Sequence, residues 1–186
     1  MLCLSFTLLL ALLLGVSFGD ALPRDAMKKR CSLSKYQFLA PPELKAVQKM
    51  KEQFEGIMLL SDRKCHSRLF HRKWNPVELS VSERVMLVEA ELDLATTMLQ
   101  LPADAPFANT RQRPLAFLTQ AREDLRGCMA PETPSDQPSR KLRHWLQRLQ
   151  TAKETETTGC LEASAILHIF QVLNDLRCAA LREQCT

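Results

Sequence analysis

The sequence predicts an all-α fold: a bundle of four long helices with one or two short ones. Three observations point there. Aromatic residues make up 6% of the 186 residues and glycines number five, which is poor material for a β-sandwich. Apolar residues recur at three- and four-residue spacing along several long runs, which stacks them on one helical face. Proline-rich breaks at Pro41-Pro42, Pro102 to Pro106 and Pro131 to Pro138 separate those runs.

Residues 1–19 carry no charged side chain, with a dense apolar run from Leu8 to Leu14 and the small residues Ser17 and Gly19 behind it. They read as a signal peptide cleaved near Gly19-Asp20 or just after Ala21. The run is short for a membrane span and no second one follows, so the expectation is a secreted protein without membrane insertion. Residues 20–40 form an N-terminal arm with the tribasic run Lys28-Lys29-Arg30, read as a solvated tail, a processing site or a glycan contact. Residues 41–186 form the helical domain.

Pro41-Pro42-Glu43 opens the first helix, because proline is tolerated in a first turn. Its core stripe is Leu44, Val47, Met50, Phe54, Ile57 and Met58; Lys45, Gln48, Lys49, Glu52 and Gln53 fall on the opposite face. A long connection, Ser61 to Leu79, carries Arg68, His71, Arg72 and Lys73 around Leu69, Phe70 and Trp74. Loops of this length are functional or disordered, and Cys65 argues for the first. Trp74 either plugs the edge of the core or contacts a partner.

Ser80-Val81-Ser82-Glu83 is a capping box, and the helix behind it has one stripe through Val85, Val88, Leu92, Ala95 and Leu99 and a second through Leu87, Leu94 and Met98. A helix apolar on two sides belongs in the middle of a bundle. After a loop beginning at Pro102, Pro114 is expected to start the third long helix, with Leu115, Leu118, Ala121 and Leu125 inward and Arg122, Glu123 and Arg126 outward. Ser139 caps a short helix with Leu142, Trp145, Leu146 and Leu149 inward, and Thr151 to Thr158 is a polar link. The last helix is one continuous piece from Gly159 to Cys178, capped by Thr158 or Gly159, with Ile166, Ile169, Leu173 and Leu176 as its core stripe. Leu167 and Phe170 lie off that stripe, so the helix has a second apolar face. The longer connections are expected after the first and second helices.

Catalytic and metal chemistry finds no foothold. The histidines His66, His71, His144 and His168 lack metal-ligand spacing, and neither a nucleophile elbow nor a phosphate loop occurs. Acidic residues read as caps and surface pairs, His168 as a packed histidine. The expectation is no enzyme, no metal and no cofactor. A net charge of +4 is mild, so no nucleic-acid partner is expected, although weak attraction to acidic glycans fits. Cys3 leaves with the signal peptide, and Cys31, Cys65, Cys128, Cys160, Cys178 and Cys185 make an even set that reads as three disulfides of open pairing.

Several blocks are more specific. Pro42-Glu43-Leu44-Lys45-Ala46, Lys64 to Phe70, Val88-Glu89-Ala90-Glu91-Leu92, Gln112-Arg113-Pro114-Leu115, His144 to Gln150 and Gly159 to Ser164 resemble the type III (lambda) interferons, in that family's order and over nearly the whole mature chain. The chain is identified as a non-mammalian vertebrate member. The resemblance implies a class II cytokine helical bundle, interleukin-10-like, with long crossover connections and three disulfides: Cys31–Cys128, Cys65–Cys160 and Cys178–Cys185. It implies a monomer whose partners are the interferon lambda receptor chain and the interleukin-10 receptor beta chain, bridged to start JAK-STAT signalling and antiviral gene induction. The first receptor would meet Lys45, Gln48, Lys49, Glu52, Trp74, Leu167 and Phe170; mammalian members tend to carry phenylalanine at the position of Leu167. The second would meet Arg122 and Arg126. Two other readings stand beside this one: another class II cytokine of the interleukin-10 or interleukin-22 kind, and a secreted helical carrier with Trp74, Leu167 and Phe170 lining an internal cavity.

Overall fold

A computed structural model describes residues 31–61, 65, 69–129 and 137–185. The expected signal peptide and the tribasic run lie outside these residues. Among those described there are six α-helices and no strand: α1 (Pro41–Leu59), α2 (Val81–Leu99), α3 (Ala105–Arg126), α4 (Arg140–Thr155), α5 (Thr158–Leu167) and α6 (Ile169–Leu181). Short 3-10 turns cover Ser34–Tyr36, Pro76–Glu78 and Arg182–Gln184.

The central position of α2 follows from its two stripes: Val85, Leu87, Val88, Leu92, Leu94, Ala95, Met98 and Leu99 are all buried. It packs on α3, α4, α5 and α6, while α1 packs on α3 and α5. Its start is the expected capping box, with the Glu83 amide donating to Ser80 Oγ at 3.3 Å and the Ser80 amide donating to Glu83 Oε2 at 2.9 Å. In α1 the buried residues are Val47, Met50 and Phe54, with Leu44 and Met58 partly covered, whereas Ile57 is exposed beyond the end of the stripe.

The third helix begins at Ala105, nine residues earlier than expected, and Pro114 lies inside it. An interior proline deletes one ladder hydrogen bond and costs about 3 kcal/mol. Phe107, Pro114, Leu118, Ala121 and Leu125 are buried along one face, so packing of the whole stripe, with Phe107 against Phe54 at 5.6 Å between centroids, offsets that cost. The connection before it is correspondingly short, Gln100 to Asp104, and the long ones follow α1 and α3. The helix after Ser139 is not short either: α4 runs to Thr155, into the stretch expected to be a polar link, and the Ser139 hydroxyl does not cap it.

The last helix is interrupted at His168, which has φ −99° and ψ 13°. The His168 amide reaches the Ser164 carbonyl at 3.4 Å, and the ring Nδ1 lies 2.9 Å from the same oxygen, so the side chain competes for the bond that would continue the helix. Thr157, one residue before the expected cap, accepts from the Cys160 amide. The core stripe nevertheless runs through both pieces, since Ile166, Ile169, Leu173 and Leu176 are all buried.

Three disulfides join Cys31 to Cys128, Cys65 to Cys160 and Cys178 to Cys185. The part of the arm that is described is tied into the bundle rather than loose. Leu33 and Tyr36 are buried, Gln37 Nε2 donates to the Ala180 carbonyl, and Tyr36 Oη donates to Asp124 Oδ2 at 2.5 Å.

Candidate receptor-binding surface

The connection from Leu69 to Leu79 has almost no regular structure, so its position is fixed by side chains. Leu69 and Phe70 are buried, and the Phe70 ring stacks on His168 at 5.2 Å between centroids. Gln171 Nε2 donates to the Phe70 carbonyl, and Arg148 Nη2 donates to the carbonyls of Leu69 and His71, all at 3.1 Å. Asn75 and Glu78 form a second capping box around the turn that follows. Arg84, itself buried, holds that turn through the carbonyls of Pro76 and Val77 and reaches the Arg182 carbonyl with its third bond. A buried guanidinium needs its donors satisfied, and carbonyl oxygens satisfy these.

At the centre of the loop, Arg72 turns inward between two helices. Its Nη1 donates to Glu91 Oε1 of α2 at 2.7 Å and its Nη2 to Asp175 Oδ2 of α6 at 2.5 Å; all three side chains are buried. This corrects the expectation that the acidic residues are only caps and surface pairs. Burial, then the facing Asp175 carboxylate, pushes the Glu91 carboxyl well above the usual carboxylate range. Burial also raises Asp175, against the pull of Arg72. One cation between two carboxyls cannot neutralise both, and the second oxygen of Glu91 has no partner. The outer face of the Arg72 guanidinium carries the Trp74 ring, 5.1 Å away. Trp74 is therefore half-buried on a fixed cation, and with His71, Lys73, His168 and Gln171 it lines a surface recess.

Leu167 and Phe170 flank His168 at the helix break, both half-buried and resting on the core. His168 is exposed and stacked on Phe70, not packed inside as expected. On α1, Lys45, Gln48, Lys49 and Glu52 all face outward, with Gln48 donating to Glu52. The bundle thus brings Trp74 together with the start of α6, and α1 packs on α5 beside it. Arg122 and Arg126 belong to a separate cluster where α2, α3 and α4 meet. Both bind Glu89 and Asp93, and Lys153 Nζ adds a bond to Asp93 Oδ2 at 2.6 Å. Burial works to raise the Asp93 carboxyl, but Lys153, Arg122 and Arg126 outweigh it and hold the group below its usual range. Arg122 is mostly covered and Arg126 is its exposed rim.

Arg72, Phe70, His168 and Gln171 escaped the sequence reading as parts of this surface. A signal for Arg72 existed: Glu91 lies three residues after Val88 and four before Ala95, and Asp175 three after Val172 and four before Ala179. Each acid therefore sits on a buried stripe and demands a cation.

Among the described residues no group of His, Cys, Asp and Glu could hold a metal ion, and no helix is long and apolar enough to cross a membrane. An all-helical bundle clasped by disulfides, whose candidate site is a surface of half-buried apolar residues, has the architecture of a helical cytokine. The family model described as Interleukin-28A matches residues 28–182. The chain is 66% identical to Interferon lambda-3 of Gallus gallus over the full length of both chains, and 36% identical to Interferon lambda-2 of Mus musculus, again over both full lengths. Against Interferon lambda-1 of Homo sapiens it is 32% identical, covering 95% of this chain and 91% of the other. The protein belongs to the interferon lambda family, and is a cytokine of that family.

Proposed function

We propose that this protein is a secreted antiviral ligand that bridges an interferon lambda receptor chain and the interleukin-10 receptor beta chain. Bringing the two receptors together activates their associated Janus kinases and STAT factors and induces antiviral genes. The first receptor meets the outward face of α1 through Lys45, Gln48, Lys49 and Glu52, the anchor Trp74, and Leu167 and Phe170 at the break between α5 and α6. The second meets α3 at Arg126, with Arg122 buttressing it from within the ion cluster.

The observation that carries this reading is the state of Trp74, Leu167 and Phe170: each is half-buried, backed by core and open on one side. Anchors of that kind, inside a polar rim, supply most of the energy of an interface. A carrier would turn the same three residues inward around a void. Three disulfides fit an oxidising extracellular setting.

A luciferase reporter for STAT activation, in cells with and without the interferon lambda receptor chain, tests the proposal. The response is expected only where that chain is present. Persistence without it would assign the protein to a different receptor of the class II cytokine group.

A further inference from the structure

We infer that the outward face of α4 is a docking surface for a sulfated polysaccharide of the glycosaminoglycan type. Arg140, Arg143, His144 and Gln147 recur at three- and four-residue spacing, all four exposed, while Leu142, Trp145 and Leu149 take the buried side of the same helix.

Many other cations among the described residues are already committed, although Lys45, Lys49 and Lys73 are as free as Arg140 and Arg143. Arg72, Arg113, Arg122, Arg126, Lys141 and Lys153 are each engaged by a carboxylate. Arg140, Arg143 and His144 make no ion pair or hydrogen bond among the described residues. They frame a shallow surface depression with Ser139, Lys141 and Gln147. Its floor is the start of α4, where the first-turn amides have no side-chain cap, while the Ser139 amide before them is already taken by Glu83 Oε1 at 2.7 Å. Guanidinium groups over uncapped amides form a concavity that accepts oxyanions. Arg148, bound to the loop carbonyls on the flank of α4, continues the positive strip toward the exposed Lys73.

The chemistry of the face selects the polyanion. No exposed Phe, Tyr or Trp stands on α4, because Trp145 is only 2% exposed, so bases have only the small His144 ring on which to stack. Among the described residues the exposed large apolar side chains are Phe38, Ile57, Leu59, Leu60, Val77 and Met129, and α4 carries none, so nothing there inserts into a bilayer. A hydrophilic chain of sulfates spaced along a backbone matches charge presented along a helix. The choice of an extracellular glycan rests on the secreted reading above, but the binding itself is measured without reference to receptors.

The test uses the disulfide-bonded mature chain on immobilised heparin, with the salt dependence of binding recorded in solution. Arg140→Glu/Arg143→Glu is expected to elute at clearly lower salt and to bind about tenfold more weakly at physiological ionic strength, with a shallower salt slope because two counterion-releasing contacts are gone. Arg140→Gln/Arg143→Gln gives the same direction with a smaller effect. Lys45→Glu/Lys49→Glu makes an equal change of net charge on α1 and is expected to shift elution much less. Equal shifts from the α1 and α4 pairs would mean that heparin reads net charge only, and the inference fails. It fails as well if replacing Lys28, Lys29 and Arg30 by alanine abolishes binding while the α4 variants bind as the parent does. Single-stranded DNA of matched length that binds as tightly as heparin, with the same loss in the α4 variants, would overturn the assignment to a sulfated glycan.

Discussion

Replacing Arg72 by methionine removes the cation that bridges Glu91 and Asp175 while keeping an apolar stem of similar length. Its two charge-assisted bonds, at 2.7 and 2.5 Å, end on carboxylates whose side chains are 0% and 7% exposed, so water cannot substitute for them. Removing one partner of a buried ion pair costs about 3–5 kcal/mol, most of it the burial of charge left without a counterion. For a chain of this size each kcal/mol lowers the melting temperature by about 2–4 °C, so a fall of about 10 °C is expected near neutral pH.

The loss has a signature in pH. Burial already raises both carboxyls, and without Arg72 they rise further. A carboxyl raised in the folded state stabilises the fold fully below its unfolded value, and that contribution is lost as pH rises through the folded value. The deficit of Arg72→Met against the parent is therefore largest near neutral pH and narrows toward about pH 4.5, where the unfolded carboxyls begin to protonate. Thermal melts followed by circular dichroism across that range measure it. Glu91→Gln in the Arg72→Met background should recover part of the neutral-pH loss, because one of the two stranded charges is gone. A loss below about 1 kcal/mol, or a deficit independent of pH, would show that the guanidinium does not sit between the two carboxyls.

Phe170→Ala is expected to weaken binding to the interferon lambda receptor chain about tenfold or more, the scale of a modest hot spot. Its stability cost, read in the same melts, should stay near 1–2 kcal/mol, below the 3–5 of a fully buried phenylalanine, because the ring is half-open. Ser80→Ala removes one arm of the capping box of α2 and should cost about 1 kcal/mol with no change in receptor response. Paired Cys→Ser replacement should rank the disulfides by the loop they close. By loop entropy, Cys31–Cys128, separated by 97 residues, contributes about 4–5 kcal/mol, and Cys178–Cys185, separated by 7, about 2. A larger effect from the short loop, in unfolding titrations, would count against that account.

Periodicity located every helical run, with α5 and α6 read as one, because burial imposes it directly on residue spacing: the stripes of α1 and α2 and the continuous line from Ile166 to Leu176 are all read from apolar positions. Errors came where a local preference was outweighed. Pro114 is a sound helix-start signal, and it was overridden by Phe107, whose burial extends the stripe by two turns. His168 breaks α5 from α6 through a bond from its own side chain to the Ser164 carbonyl, which no apolar pattern records. The half-buried Trp74, Leu167 and Phe170, the proposed anchors, were legible as apolar residues off the core stripes. The rest of the surface was not, because Arg72, Phe70 and Gln171 depend on pairings across 19 to 103 residues of sequence.

The break at His168 falls between the two cysteines of this region, and no disulfide spans it: Cys160 ties the first piece to Cys65, and Cys178 ties the second to the tail at Cys185. The angle between the two pieces is then set by what bridges them from outside. Three such braces come from one stretch of chain: Phe70 on His168, the Phe70 carbonyl on Gln171, and Arg72 on Asp175. The loop works as a splint laid along a fracture. Stiffness at that joint is thus shared between the core stripe on α2 and the loop, so substitutions at 70–72 loosen the second piece of the fractured helix while leaving that stripe intact.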